Sequence, residues 1–148
     1  MSRLVFWDAS AFIALGNRND ILHPQAIDLS HQLAKERTRL FTTNAVLTEV
    51  GNGFSKIGLR SIAERLIEST IQSTQSGAAE IVHVSEGLWQ RGWQLFQERP
   101  DKEWGLTDCI SFVVMHDNNI TEAFTADKHF EQAGYVRLLK QKFDSRRD

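Results

Sequence analysis

The chain carries one cysteine, two prolines and one tyrosine among its 148 residues, and it has no excess of positive charge. A lone thiol, Cys109, closes no internal disulfide. With five scattered histidines it offers no zinc-ligand spacing, which fits a reducing compartment such as the cytoplasm. Apolar runs are short. The longest, Ile110 to Met115 (ISFVVM), falls far below the roughly 20 residues that cross a bilayer, so a soluble protein away from membranes is expected. The opening MSRLVFWDASAFIALG resembles a leader only weakly, because Asp8 interrupts it and no small-residue cleavage pattern follows Leu15. A formal charge of −2 and a pI near 6.2 argue against a protein that holds nucleic acid by a broad basic surface. They do not exclude a metal-dependent nuclease, whose site is itself a cluster of acids.

What is present suits one globular domain. Hydrophobic residues make up 41% of the chain, enough for a sizeable core, and a single domain is expected over residues 1–139 with a basic tail at 140–148. Short apolar or alternating runs predict strands at Arg3 to Trp7, Arg39 to Thr43, Glu80 to Val84, Glu122 to Thr125 and Tyr135 to Leu139. Helical spacing predicts helices at Ala9 to Leu15, Pro24 to Arg37, Asn44 to Phe54 with Asn44 as cap, Leu59 to Thr70, Gly87 to Arg99 and Thr107 to His116. Gln72 to Gly77 (QSTQSG) reads as a polar linker. Strands alternating with helices give an α/β fold, a three-layer α/β/α sandwich around a mainly parallel sheet.

Asp8 stands directly after the first strand and Asp127 shortly after the fourth, and ligands gather at the carboxyl ends of strands in an open parallel sheet. Asp108 falls in the first turn of its helix and Glu49 in the second turn of a helix that follows a strand, so both can project toward that same edge. Each acid alone has a structural reading as a cap, a turn former or a solvated residue. Together, four carboxylates in one crevice repel one another unless cations sit among them, and hard oxygen ligands suit Mg²⁺ or Mn²⁺. Such ions lower the pKa of a water and neutralise charge on phosphate oxygens, so the expected reaction is hydrolysis of a phosphodiester with the 3′ oxygen leaving.

The series Asp8-x-Ser10, Glu49 with Asn52, Thr107-Asp108 and Thr125-x-Asp127 resembles the PIN domain, especially its small VapC-type members. The resemblance spans nearly the whole chain and implies a PIN-like sandwich and a Mg²⁺- or Mn²⁺-dependent endoribonuclease. It further implies a toxin that is commonly a homodimer and is held inactive by a cognate antitoxin protein whose peptide occupies the groove near the acids. By position, Asp8, Glu49, Asp108 and Asp127 would bind metal, with Ser10, Asn52, Thr107 and Thr125 in support. Cys109 stands where such proteins most often have alanine, a change expected to be structural. The rival is a non-catalytic PIN-fold module acting through a protein partner.

Other residues raise secondary expectations. Trp89, Trp93 and Phe96 share a helical stripe and are expected to bury against the sheet or a second copy, while Trp104 is the tryptophan expected to be exposed. His83, His116 and His129 read as structural, with His129 near enough to Asp127 for a minor contact role. Arg3, Lys35, Lys56, Lys102 and the tail are the candidates for a basic rim.

Overall fold

The computed structural model describes residues 3–140; the basic tail from residue 141 onward lies outside them. Within them five strands form one parallel sheet: β1 (Leu4–Trp7), β2 (Arg39–Thr43), β3 (Ala79–Val82), β4 (Glu122–Phe124) and β5 (Val136–Arg137), in the spatial order β3-β2-β1-β4-β5. Among the described residues seven helices connect them: α1 (Ala9–Gly16), α2 (His23–Lys35), α3 (Asn44–Gly53), α4 (Arg60–Gln75), α5 (Glu86–Glu98), α6 (Leu106–Asp117) and α7 (Lys128–Gln132). This is the α/β/α arrangement expected from the alternation of strand and helix patterns.

Strand order puts β1 at the centre, flanked by β2 and β4. Val5 and Phe6 are fully buried, and an eight-residue helix follows without a linker, so the carboxyl end of β1 is a rigid corner. Asp8 is that corner. Its backbone N–H donates to Phe124 O at 3.1 Å, and the Thr42 hydroxyl donates to Trp7 O at 2.9 Å, which ties the ends of β1, β2 and β4 together.

Several local expectations are corrected. Thr43, not Asn44, caps α3: its hydroxyl accepts from Val46 N at 3.1 Å, while the Asn44 side chain accepts from Val84 N at 2.8 Å and pins the chain leaving β3. Most of the QSTQSG stretch is the last turn of α4. Ser73, Thr74 and Ser76 return their hydroxyl protons to carbonyls three or four residues back, so a polar composition coexists with helix there.

The tryptophans are reversed. Trp104 is 6% exposed, donating Nε1–H to Gln132 Oε1 at 3.0 Å beneath the Arg99 guanidinium, whereas Trp89, Trp93 and Phe96 are 37–41% exposed and stack along α5 with ring centroids 5.9 and 5.6 Å apart. Gly92 supplies the reason. It meets α6 so closely that a Cβ there would lie 2.5 Å from Ile110 Cγ1 and 3.2 Å from its Cα. The α5 face made of Leu88, Gly92 and Leu95 therefore goes inward, and the neighbouring aromatic stripe is turned out.

Candidate active site

Three helix N-termini meet beyond the carboxyl ends of β1 and β4, and each brings an acid. Asp8 is the N-cap of α1, Asp108 the third residue of α6, and Asp127 the N-cap of α7. The capping reading of Asp108 and Asp127 is correct as far as it goes. Asp108 Oδ2 accepts from Gly105 N at 3.0 Å, and Asp127 Oδ1 accepts from His129 N at 2.9 Å. Capping and clustering are compatible, because the positive end of a helix dipole favours a carboxylate and eases its crowding with others.

Ser10 and Thr125 hold the buried member. Both hydroxyls donate to Asp8 Oδ2, at 3.1 and 2.8 Å. Each in turn accepts a backbone N–H, Ser10 from Ala126 at 2.9 Å and Thr125 from Asp127 at 3.0 Å. Backbone amide to hydroxyl to carboxylate is one polarised chain, linking the start of α1 to the loop after β4. The two hydroxyls lie 3.1 Å apart, but with both protons directed at Asp8 that contact carries no hydrogen bond of its own.

Asp8 is only 5% exposed, and burial raises its pKa to about 6 despite the Thr125 hydrogen bond; the Asp108 charge pushes it the same way. Burial likewise raises Asp108, against lowering by its bonds to His129 and Gly105 N. Carboxylates held this way favour a cation in their midst, which would restore their ionised forms.

Asp108, Asp127 and His129 form a close group, each offering a ligand atom within 4.8 Å of the others. The His129 ring Nδ1 lies 3.1 Å from Asp108 Oδ2 and 3.3 Å from Asp127 Oδ1. The ring is thus a hydrogen-bonded histidine, as expected, and it bridges two of the predicted acids. The pointer in the sequence was its place two residues after Asp127, where a capping acid bonds its backbone. Asp8 adjoins this group through Thr125 and through its electrostatic coupling to Asp108.

Other predicted members stand outside the group. Glu49 is exposed on α3, next to the buried Val50, and Asn52 is exposed one turn on. Thr107 is half-buried at the start of α6, beside Asp108. Cys109 is fully buried, and burial raises its thiol pKa to about 11, as a small apolar filler would show. Arg3 leaves the expected basic rim. It pairs with Glu122 at 2.7 Å and Glu36 at 2.6 Å at the amino ends of the strands, the far edge of the sheet from the acids.

Pure oxygen donors predominate in the cluster, with one imidazole beside them, so the residues fit a hard divalent cation such as Mg²⁺ or Mn²⁺.

No protein-family model matches the chain. A curated relative, the 23S rRNA-specific endonuclease VapC20 of Mycobacterium tuberculosis, is 27% identical over 135 residues, covering 91% of this chain and 98% of that protein. The crystal structure of M. tuberculosis VapC20, described as a Sarcin-Ricin loop cleaving toxin, aligns with TM-score 0.77 and 25% identity over 90% of this chain and 98% of that one. The VapBC2 structure from Rickettsia felis, bound to a promoter DNA fragment, aligns with TM-score 0.65 over 93% of this chain and 98% of that one; at 16% identity it speaks for the fold alone. The parallel five-stranded sheet, the ordered acids and these likenesses together make the chain similar to VapC-type PIN-domain proteins in fold and over nearly its whole length.

Proposed function

We propose that the protein is a metal-dependent endoribonuclease, the toxin of a toxin–antitoxin pair. The observation that carries this reading is the convergence of Asp8, Asp108 and Asp127 at three helix N-termini, with Asp8 held by Ser10 and Thr125. The likeness to an RNA-cleaving relative over nine-tenths of the chain supports it.

In this reading Asp8, Asp108 and Asp127 bind Mg²⁺ or Mn²⁺, and Glu49 adds a fourth carboxylate from α3. When bound, such an ion neutralises charge building on the phosphate and favours ionisation of a water. The chain's own residues set the geometry. Ser10 and Thr125 fix Asp8, the Gly105 amide fixes Asp108, and Thr107 and Asn52 border the carboxylates on α6 and α3. No histidine is required as general base. The test is incubation of purified protein with ribosomal RNA: cleavage should require added Mn²⁺ or Mg²⁺ and stop with chelator. Cleavage undiminished by chelator contradicts the reading.

We place the antitoxin not against the acids but in a groove of about 970 Å³ between α2 and α4, whose lining includes none of them. Phe12, Ile27 and Leu66 contribute apolar surface, Arg18, Arg37, Arg39 and Arg65 line it, and no described lining residue is acidic. That chemistry suits an amphipathic segment with acids along its margins. Replacing Arg18 and Arg65 together by Glu should speed dissociation of the cognate antitoxin by roughly tenfold or more, read by surface plasmon resonance. Unchanged dissociation would place the antitoxin elsewhere.

A further inference from the structure

We infer that His129 is a positioning residue that orients Asp108 and Asp127 together, an inference resting on the metal-dependent reading above. One residue reaches both acids by two routes. Its backbone N–H holds Asp127 Oδ1 at 2.9 Å, and its ring Nδ1 lies 3.1 Å from Asp108 Oδ2 and 3.3 Å from Asp127 Oδ1. Ionised carboxylates only accept hydrogen bonds, so Nδ1 is the donor, and a nitrogen carrying that proton is not a metal ligand.

The consequence is a division of labour within each carboxylate. Gly105 N and the His129 ring both hydrogen-bond Oδ2 of Asp108, and the His129 backbone N–H holds Oδ1 of Asp127 with the ring Nδ1 3.3 Å from that same oxygen. No described residue hydrogen-bonds the other oxygen of either acid. The open oxygens are the ones left for a cation. Helix α7 is only five residues long, so its own hydrogen bonds cannot hold the ring in place. Phe130 does that. It is fully buried, packs on Phe6 and Phe112, and accepts the Tyr135 N–H on its carbonyl at 2.9 Å. The imidazole is thus carried by a core residue, and its side chain is 27% exposed at the site.

The test compares His129→Ala and His129→Asn in the full chain, by calorimetric Mn²⁺ titration and by kcat/KM on RNA. An asparagine amide can place an N–H close to where Nδ1 stands, whereas alanine removes the donor. His129→Ala should weaken Mn²⁺ binding by roughly tenfold or more, and His129→Asn should return it to within about threefold of wild type, the size expected for a partner behind a metal ligand. A structural role alone would not produce rescue by the amide. Unchanged Mn²⁺ affinity in His129→Ala, or an Asn variant as impaired as Ala, overturns the inference while leaving the metal reading intact. A wild type that takes up no Mn²⁺ overturns both.

Discussion

Asp108→Asn should lower kcat/KM for RNA cleavage by at least about a hundredfold without unfolding the protein. The change is isosteric, and the amide oxygen can still accept from Gly105 N, so the start of α6 keeps its cap. What is lost is one negative charge facing Asp127 and Asp8. If charge stabilisation through a cation supplies several kcal/mol at the transition state, removing one anionic ligand forfeits a large part of it, and each 1.4 kcal/mol is about tenfold in rate. Kinetics on a purified RNA substrate, with circular dichroism to show that the fold persists, decides this. A variant within about fivefold of wild type would mean that Asp108 serves α6 and not the reaction.

The second large effect concerns stability, and its sign is opposite to intuition. Asp8→Asn should stabilise the ion-free protein at neutral pH. Burial raises the Asp8 pKa to about 6 from an ordinary value near 3.8, so the folded state retains a proton that the unfolded chain gives up. Below about pH 4 both states are protonated and there is no penalty. Between about pH 4 and 6 stability falls as the unfolded chain ionises first, and above that the penalty levels off at about 3 kcal/mol. Asparagine has no such proton. The stability difference between variant and wild type should therefore grow from pH 4 to pH 7 in urea unfolding with chelator present. Mn²⁺ near saturation should reverse the order, since an ion at about a thousand times its Kd adds about 4.1 kcal/mol to the wild type alone. A difference that does not change with pH contradicts the buried-charge account.

Both effects express one trade. The chain places an acid where burial penalises its charge, and Ser10 and Thr125 keep it oriented there instead of letting it turn to water.

The sequence made much of this arrangement readable, and for specific reasons. Asp8 was visible because LVFW is apolar and stops abruptly; Asp127, because it follows the short EAFTA run. Both signals depend only on neighbours in the chain. The environment of α5 was not legible, because helical spacing identifies stripes without saying which stripe faces the protein. Gly92 decided that by allowing backbone-close packing on Ile110, which sends Leu88 and Leu95 inward and leaves Trp89, Trp93 and Phe96 outside. Trp104 is buried and not exposed for the related reason that its hydrogen-bond partner, Gln132, comes from a separate element. The His129 contact with Asp108 is not legible because a ring contact across 21 residues has no local signature. Arg3 was misplaced from the rim because its ion-pair partners, Glu36 and Glu122, come from separate elements.

Crystals soaked in Mn²⁺ and measured for anomalous scattering test the central claim most directly. A peak within about 2.0–2.6 Å of carboxylate oxygens from both Asp108 and Asp127 is predicted. No peak there, or one bound only elsewhere on the surface, would contradict it.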